Sequence, residues 1–406
     1  MGDAATLSRR RFLRLGAAAI GGLAAPAVIG IAKVEAAPLR GGQILPAPKF
    51  VLQPSAYRGV VGIRPHREGG FLCDIDLVLG AAQGKHIIHN YGHGGAGITL
   101  SFGCAMKVGS LVAKIIKDQP PGRPLPKVAI LGSGIIGLTV AKQLRDTYPA
   151  MKIRILTKSA SIAETTSIKA GGQFAPSGIN SEYRTAGQMK MLRGYVADSL
   201  TRIKAAFRDG SYQKYGIRER KNYTVEPVAD LDLCGPDILP LPNEGGLPFT
   251  NLRREGYEYS TYLIDPPIFL AELVREMGRK QVPILWSHEV RDIPSMLALP
   301  ETIIINCTGL GSKARAFIND DKVKPVRGAL AVIPYAQGTP ANLKYFFSGG
   351  CVGGSPIAYM FSRNADIVVG GSYDYDNSDT TVDPAEIKRL LFRMNQIFIG
   401  NPDMCL

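Results

Sequence analysis

Tryptophan occurs once in this 406-residue chain, histidine five times and cysteine six times. So few imidazoles and thiols leave little from which to build a metal centre. Cys73, Cys104, Cys234, Cys307, Cys351 and Cys405 lie far apart and form no CxxC pair, so neither zinc ligation nor a redox dithiol is expected and no metal is assigned. In apolar runs such as Ile305-Asn306-Cys307 a thiol serves as a packing group, and spacing names no disulfide. Acids are also short: 34 stand against 48 basic residues, a formal charge of +14. Such a charge attracts anionic partners without fixing any chemistry. The densest basic runs, Arg218-Glu219-Arg220-Lys221 and Arg253-Arg254, lack interleaved aromatics on which bases could stack, so nucleic acid is not an expected partner. What the chain does have is 45% hydrophobic residues, enough for a substantial core.

The N-terminus reads as an address. Ser8-Arg9-Arg10-Arg11-Phe12-Leu13-Arg14 precedes a mild apolar stretch from Leu15 to Ile31, followed by Lys33 and the small-residue site Val34-Glu35-Ala36. That arrangement is a twin-arginine export signal over residues 1–36, placing the mature protein in the periplasm or outside the cell. A transmembrane anchor and a basic amphipathic helix are the other readings, the anchor weakened by the Ala/Gly content, the short length and Pro26. The twin-arginine route carries folded proteins, so a tightly held cofactor acquired before export is expected. With metal ligands lacking, a nucleotide cofactor is the natural candidate.

A Pro-rich lead from Pro38 to Pro54 opens the mature chain, and a compact segment runs from Arg58 to Lys117. The proline-dense stretch from Asp118 to Pro126 suits neither helix nor central strand. Beyond it the pattern predicts strand (Val128 to Leu131), helix (Ile135 to Thr147) and strand (Ile153 to Leu156), a βαβ unit with short connections. Arg184 to Tyr257 reads as amphipathic helix mixed with punctuated loops. Pro266 to Arg279 has helical period, Thr302 to Ile305 is a buried strand, and Gly328 to Pro334 and Asp366 to Gly371 alternate as antiparallel strands do. Within the βαβ unit, Gly132-Ser133-Gly134-Ile135-Ile136-Gly137 joins strand to helix, the context in which GxGxxG holds a pyrophosphate on a helix N-terminus. The second strand runs into Thr157-Lys158-Ser159 without the usual ribose-binding acid, so the loop leaves FAD and NAD(P) both open.

The run from His89 to Ala105, His-Asn-Tyr-Gly-His-Gly-Gly-Ala-Gly-Ile-Thr-Leu-Ser-Phe-Gly-Cys-Ala, closely resembles the C-terminal flavin-binding loop and helix of the D-amino-acid oxidase family. Gly62-Ile63-Arg64-Pro65-His66-Arg67 is similar to that family's carboxylate-binding arginine motif, and Glu164 to Gly172 to its second flavin loop. Asn306-Cys307-Thr308-Gly309, Val326-Arg327-Gly328 and Tyr359 followed by Gly370-Gly371 extend the likeness. The order differs. In the family the arginine motif and the His-Asn-Tyr-Gly loop come last, whereas here they precede the dinucleotide loop, so the chain resembles a circular permutation closed by the linker at 118–126.

That resemblance implies a mixed α/β fold: a Rossmann-like FAD-binding domain (76–182 and 260–325) interleaved with a substrate domain (38–75, 183–259 and 326–406) on a mostly antiparallel sheet. It implies FAD held by Gly132, Gly134, Gly137, Thr165, Thr166, Ala170, Gly171, Gly172, Val290, Thr308 and the run Gly94, Gly95, Ala96, Gly97, Ile98 and Thr99. Arg64 and Tyr359 would bind the substrate carboxylate and the Gly95 carbonyl its amine, giving oxidative deamination of a D-amino acid with dioxygen as second substrate. His89 and His93 are expected to be structural or to touch the flavin. Two departures leave the side chain open, since Ser355 stands at the lid tyrosine and Gln173-Phe174 replaces a Trp-Gln pair; D-aspartate or an N-substituted amine stay open as substrates. An NAD(P)-dependent reductase, supported by the dinucleotide loop and Lys158, and an exported flavoprotein without catalysis are the alternatives of other classes.

Overall fold

A computed structural model describes residues 44–179, 182, 185–225, 238–252, 255–335, 343–349 and 358–399. The expected export signal, Arg253-Arg254, Ser355, Cys234, Cys351 and Cys405 lie outside them. Residues 37–406 form one compact unit built on two sheets.

Along the chain, β1 (Arg58–Arg67), β2 (Leu72–Asp76) and β3 (His86–Tyr91) lead into α1 (Gly97–Lys117). The exposed stretch 120–125 then gives way to β4 (Val128–Leu131), α2 (Ile135–Thr147) and β5 (Ile153–Leu156), as the pattern predicts. Helix α3 (Ala186–Arg208) starts at a capping box in which the Thr185 side chain accepts from Gln188 N. Next come β6 (Ile217–Thr224), β7 (Asn243–Gly246) and β8 (Glu255–Ile264). β6 and β7 lie within the stretch read as helix mixed with loops: the charges of Arg218-Glu219-Arg220-Lys221 mask a half-buried strand, and two glycines dilute β7. Then follow α4 (Pro266–Arg279), β9 (Ile284–Leu285), α5 (Ile293–Leu297), β10 (Ile303–Asn306), β11 (Val323–Pro334), β12 (Tyr345–Gly349), β13 (Ala358–Ser362), β14 (Asp366–Gly370), β15 (Asp374–Tyr375) and α6 (Pro384–Phe398).

One sheet has six strands in the order β2-β3-β10-β4-β5-β9, all parallel except β2. Its central strands are buried on both faces, as parallel strands between helical layers must be. Ile88, Ile130, Ile155 and Ile305 face α1, α2 and α4, while Ile87, Leu131, Leu156 and Ile304 face Met296 of α5 and Phe317.

The second sheet has nine strands in the order β1-β11-β14-β13-β12-β6-β8-β7, with β15 on β11; every pair is antiparallel but β12 with β6. Alternation gives it two different faces. Ala329, Ala331, Phe347, Met360, Ile367 and Val369 pack beneath Leu390, Leu391, Met394 and Phe398 of α6. Truncating one such core leucine costs about 2–5 kcal/mol. The opposite face, bearing Leu330, Ser348, Tyr359 and Phe361, turns toward the parallel sheet. Both sheets depend on the segment before the linker: β1 pairs with β11 over ten residues, and β3 lies beside β10.

Candidate active site

A cavity of about 1400 Å³ lies between the two sheets. Its first wall is the strand–turn–helix of the βαβ unit. Gly132 has φ 109° and a Cβ there would stand 2.5 Å from Cys307 O; a Cβ on Gly137 would stand 2.0 Å from Gly132 O. No other residue closes this turn. Gly132, Ser133 and Gly134 line the cavity, and Gly137 lies behind them as the contact that seats α2 on β4. Ser133 Oγ donates to Thr157 Oγ1 at 2.9 Å, and the first helical amide, Ile135 N, donates to Ser167 Oγ at 3.0 Å.

Around this turn gather the other segments singled out in the sequence. Thr165, Thr166, Ala170, Gly171 and Gly172 line the cavity, with Thr166 Oγ1 bonded to Ile63 O at 3.0 Å. Thr308 lines it after β10, and Val290 from the turn between β9 and α5. From the loop entering α1 come Gly94, Gly95, Gly97 and Ile98, so that a second helix N-terminus borders the same space. Ala96 and Thr99 of that run point away: Ala96 is fully buried at the helix cap, and Thr99 Oγ1 donates to Ala175 O at 2.7 Å. Asn90, overlooked in the sequence, lines the cavity with its side-chain amide buried and both polar atoms unpartnered. Among the described residues the carboxylates lining the cavity, Glu164 and Glu289, are both exposed; Glu164 accepts from Ala160 N and Glu289 pairs with Arg291.

His89 and His93 are held neutral by burial. His89 lies between Asp76 Oδ2 at 3.4 Å and Asn306 Nδ2 at 3.3 Å, and desolvation lowers its pKa against the opposing effect of Asp76. His93, stacked on Phe71 with Cys104 Sγ 3.4 Å away, is pushed down to about 3 by burial alone.

The floor of the cavity is the exposed face of the nine-stranded sheet. Arg64 reaches from β1 across Gly328, whose missing side chain makes the room: a Cβ there would stand 2.3 Å from Arg64 Nη1. The guanidinium donates to Ser372 O at 3.2 Å and stacks on Tyr373 with its carbon 4.3 Å from the ring centroid. No acid among the described residues pairs with it. Three strands along, Tyr359 lies over Gly370, flat against Phe361 with centroids 4.7 Å apart. Arg64, Tyr359 and Gly95 thus line one cavity. Beyond Tyr359 the floor turns polar. Asn222 Oδ1 accepts from Gln173 Nε2 and from Ser348 Oγ, each at 3.3 Å, and Gln173 Nε2 also lies 3.0 Å from Tyr259 Oη. Of the Gln173-Phe174 pair, Gln173 faces the cavity and Phe174 is fully buried.

Residues 127–404 match the sequence model of the FAD dependent oxidoreductase family, DAO. A D-amino-acid oxidase from Streptomyces coelicolor is 40% identical over 259 residues, 64% of this chain and 73% of that protein. The chain belongs to this family. More distant relatives are a D-amino-acid oxidase from Rubrobacter xylanophilus, 24% identical over 282 residues (68% of this chain, 78% of that one), and D-aspartate oxidase 1 from Caenorhabditis elegans, 24% over 289 residues (66% and 76%). Among solved structures, glycine oxidase from Geobacillus kaustophilus superposes with a TM-score of 0.48 at 14% identity, covering 67% of this chain and 78% of that one.

Family membership resolves the choice the dinucleotide loop leaves open: the cofactor of this oxidoreductase is FAD. The residues present fit it. The glycine turn and two helix N-termini present backbone and positive dipole ends to the cavity, as an anionic cofactor requires, and the orphaned Asn90 amide is a buried donor and acceptor awaiting a polar partner.

Proposed function

We propose that this FAD-dependent oxidoreductase is an oxidase of D-amino acids, converting substrate, dioxygen and water to the 2-oxo acid, ammonia and hydrogen peroxide. The observation that carries the reading is Arg64, a guanidinium on the cavity floor without an acid partner among the described residues, lying over Gly328 of β11 while the Tyr359 ring lies over Gly370 of the adjacent β14. A planar fork with open donors matches a carboxylate in two parallel hydrogen bonds, and the Tyr359 hydroxyl adds a third donor. Gly95, lining the same space beside the Arg64 side chain, offers its carbonyl to the amine. Fixing carboxylate and amine orients the α-hydrogen, so positioning supplies most of the catalysis and no protein base is required. Bound FAD supplies the hydride acceptor, regenerated by dioxygen. The relatives called D-amino-acid oxidase support the substrate class.

The same reading includes the order of the chain and its destination. The segment holding β1, β3 and α1 precedes the stretch matched by the family model, yet it completes both sheets and supplies Arg64 and Gly95. A circular permutation across 118–126 accounts for that arrangement. The paired arginines at Arg9 and Arg10 assign the protein to the twin-arginine machinery and hence to the periplasm or the exterior.

The deciding experiment is an anaerobic titration of the yellow holoprotein with D- and L-amino acids, followed at the visible flavin band. Bleaching by D-amino acids alone, with peroxide formed on readmitting air, is the expected result. A band that no D-amino acid bleaches refutes the oxidase reading, and bleaching by L-amino acids refutes its stereochemistry. Replacing Arg9 and Arg10 by lysine should keep the protein in the cytoplasm.

A further inference from the structure

The floor of the cavity is chemically divided, and the division runs along the sheet register. Tyr359 on β13 stands opposite Ser348 on β12, which stands opposite Thr224 on β6. Neighbouring strands lie about 4.8 Å apart, so Ser348 and Thr224 are roughly one and two strand spacings from Tyr359. They lie on the side away from Gly370, β11 and Arg64. Gln173, Thr224, Tyr259 and Ser348 all line the cavity, and the register puts Thr224 and Ser348 within reach of a side chain of a few heavy atoms on a carboxylate held between Arg64 and Tyr359.

We propose that these four residues, two of them oriented by the buried Asn222, form the side-chain subsite and that it takes an uncharged hydrogen-bonding group, an amide or a hydroxyl. The inference rests on the D-amino-acid reading above. Asn222 is fully buried, and because its Oδ1 accepts from both Gln173 Nε2 and Ser348 Oγ, those two side chains are held in one orientation. Gln173 lines the cavity, and its Oε1 has no hydrogen bond among the described residues. An apolar side chain pressed against it would leave that oxygen desolvated and unpaired. An ionised side chain meets the converse difficulty. Among the described residues, the charged side chains lining the cavity sit on β1 and in the dinucleotide half, at Lys158, Glu164, Lys169, Glu289, Arg291 and Lys313; β6, β8 and β12 contribute none. A second carboxylate would thus be buried without a counter-charge among the described residues.

The test compares kcat/KM of the holoenzyme for D-asparagine, D-leucine, D-aspartate and the short reference D-alanine. D-Asparagine should exceed D-leucine and D-aspartate by about tenfold or more, since a site built for hydrogen bonds discriminates against groups that cannot form them. In Gln173→Leu and Ser348→Ala the ratio of D-asparagine to D-alanine should fall by about tenfold. A binding arm uses non-oxidisable carboxylates: succinamate should raise the melting temperature of the holoprotein more than succinate or 4-methylpentanoate, and lose that advantage in Gln173→Leu. Preference for D-leucine or D-aspartate, or ratios unmoved by both substitutions, overturns the subsite. If D-alanine and every other D-amino acid are inert, the oxidase reading fails on its own, and the binding arm still decides the subsite.

Discussion

On the six-stranded sheet the ligand-facing surface is largely backbone, made of glycine turns and two helix starts; on the nine-stranded sheet it is side chains, one from each of several strands. A backbone surface tolerates no added atom, because a Cβ at Gly132 or Gly137 meets a carbonyl within 2.5 Å. A side-chain surface can be altered one group at a time, because each group stands on a strand whose other face is locked beneath α6. Cofactor binding and substrate choice are thereby built to fail differently.

Gly132→Val should break the contrast at its strongest point. A β-branched residue at φ 109° with a carbonyl 2.5 Å from its Cβ is strained and clashes, so the purified protein should be colourless, with a flavin-to-protein ratio near zero and lowered stability. Arg64→Ala should show the reverse: flavin content unchanged, and kcat/KM on D-amino acids down about a thousandfold, as expected when one partner of an enclosed charge pair is lost. Arg64→Lys keeps the charge without the fork and should recover only part of the loss. Flavin loss in Arg64→Ala would erase the distinction between the walls.

His93 tests the cradle by pH. Its pKa is depressed by burial to about 3 from an ordinary 6.5, so the unfolded chain takes up a proton that the folded one refuses. The stability is full above about pH 6.5 and is lost as pH falls below it, by about 2 kcal/mol between pH 7 and 5. Thermal melts at the two pH values should show that decrement, and His93→Gln should reduce it. On the floor, Tyr359→Phe removes one neutral donor and should raise KM for D-alanine about tenfold. Smallest of all, Tyr373→Ala removes only the ring stacked on Arg64 and should raise KM about threefold at nearly constant kcat, with Tyr373→Phe close to the parent.

The same contrast governs what could be read from the chain. The cradle was legible because its signals are local: glycines at fixed spacing between a strand and a helix, and a glycine-rich run opening another helix. Arg64 and Tyr359 were legible only through resemblance, since an arginine or tyrosine in a strand carries no mark of its use. Of the polar floor only Gln173 was legible, as a departure from the family's Trp-Gln pair. Asn222 and Ser348 are 126 positions apart and meet only because β6 and β12 pair, and β6 itself was concealed by its charges. Asn90 escaped notice because nothing in its neighbours announces that its amide lacks a partner.

The exposed linker at 120–125 has a practical meaning for anyone wishing to control this protein. β1, β3 and α1 before it are held to the described residues after it by sheet pairing and helix packing rather than by that one stretch of peptide. Two polypeptides divided there should find each other and assemble into a single coloured protein, with Arg64 supplied by one piece and Tyr359 by the other. Neither fragment owns a complete site, so colour and turnover would report that the two halves had met.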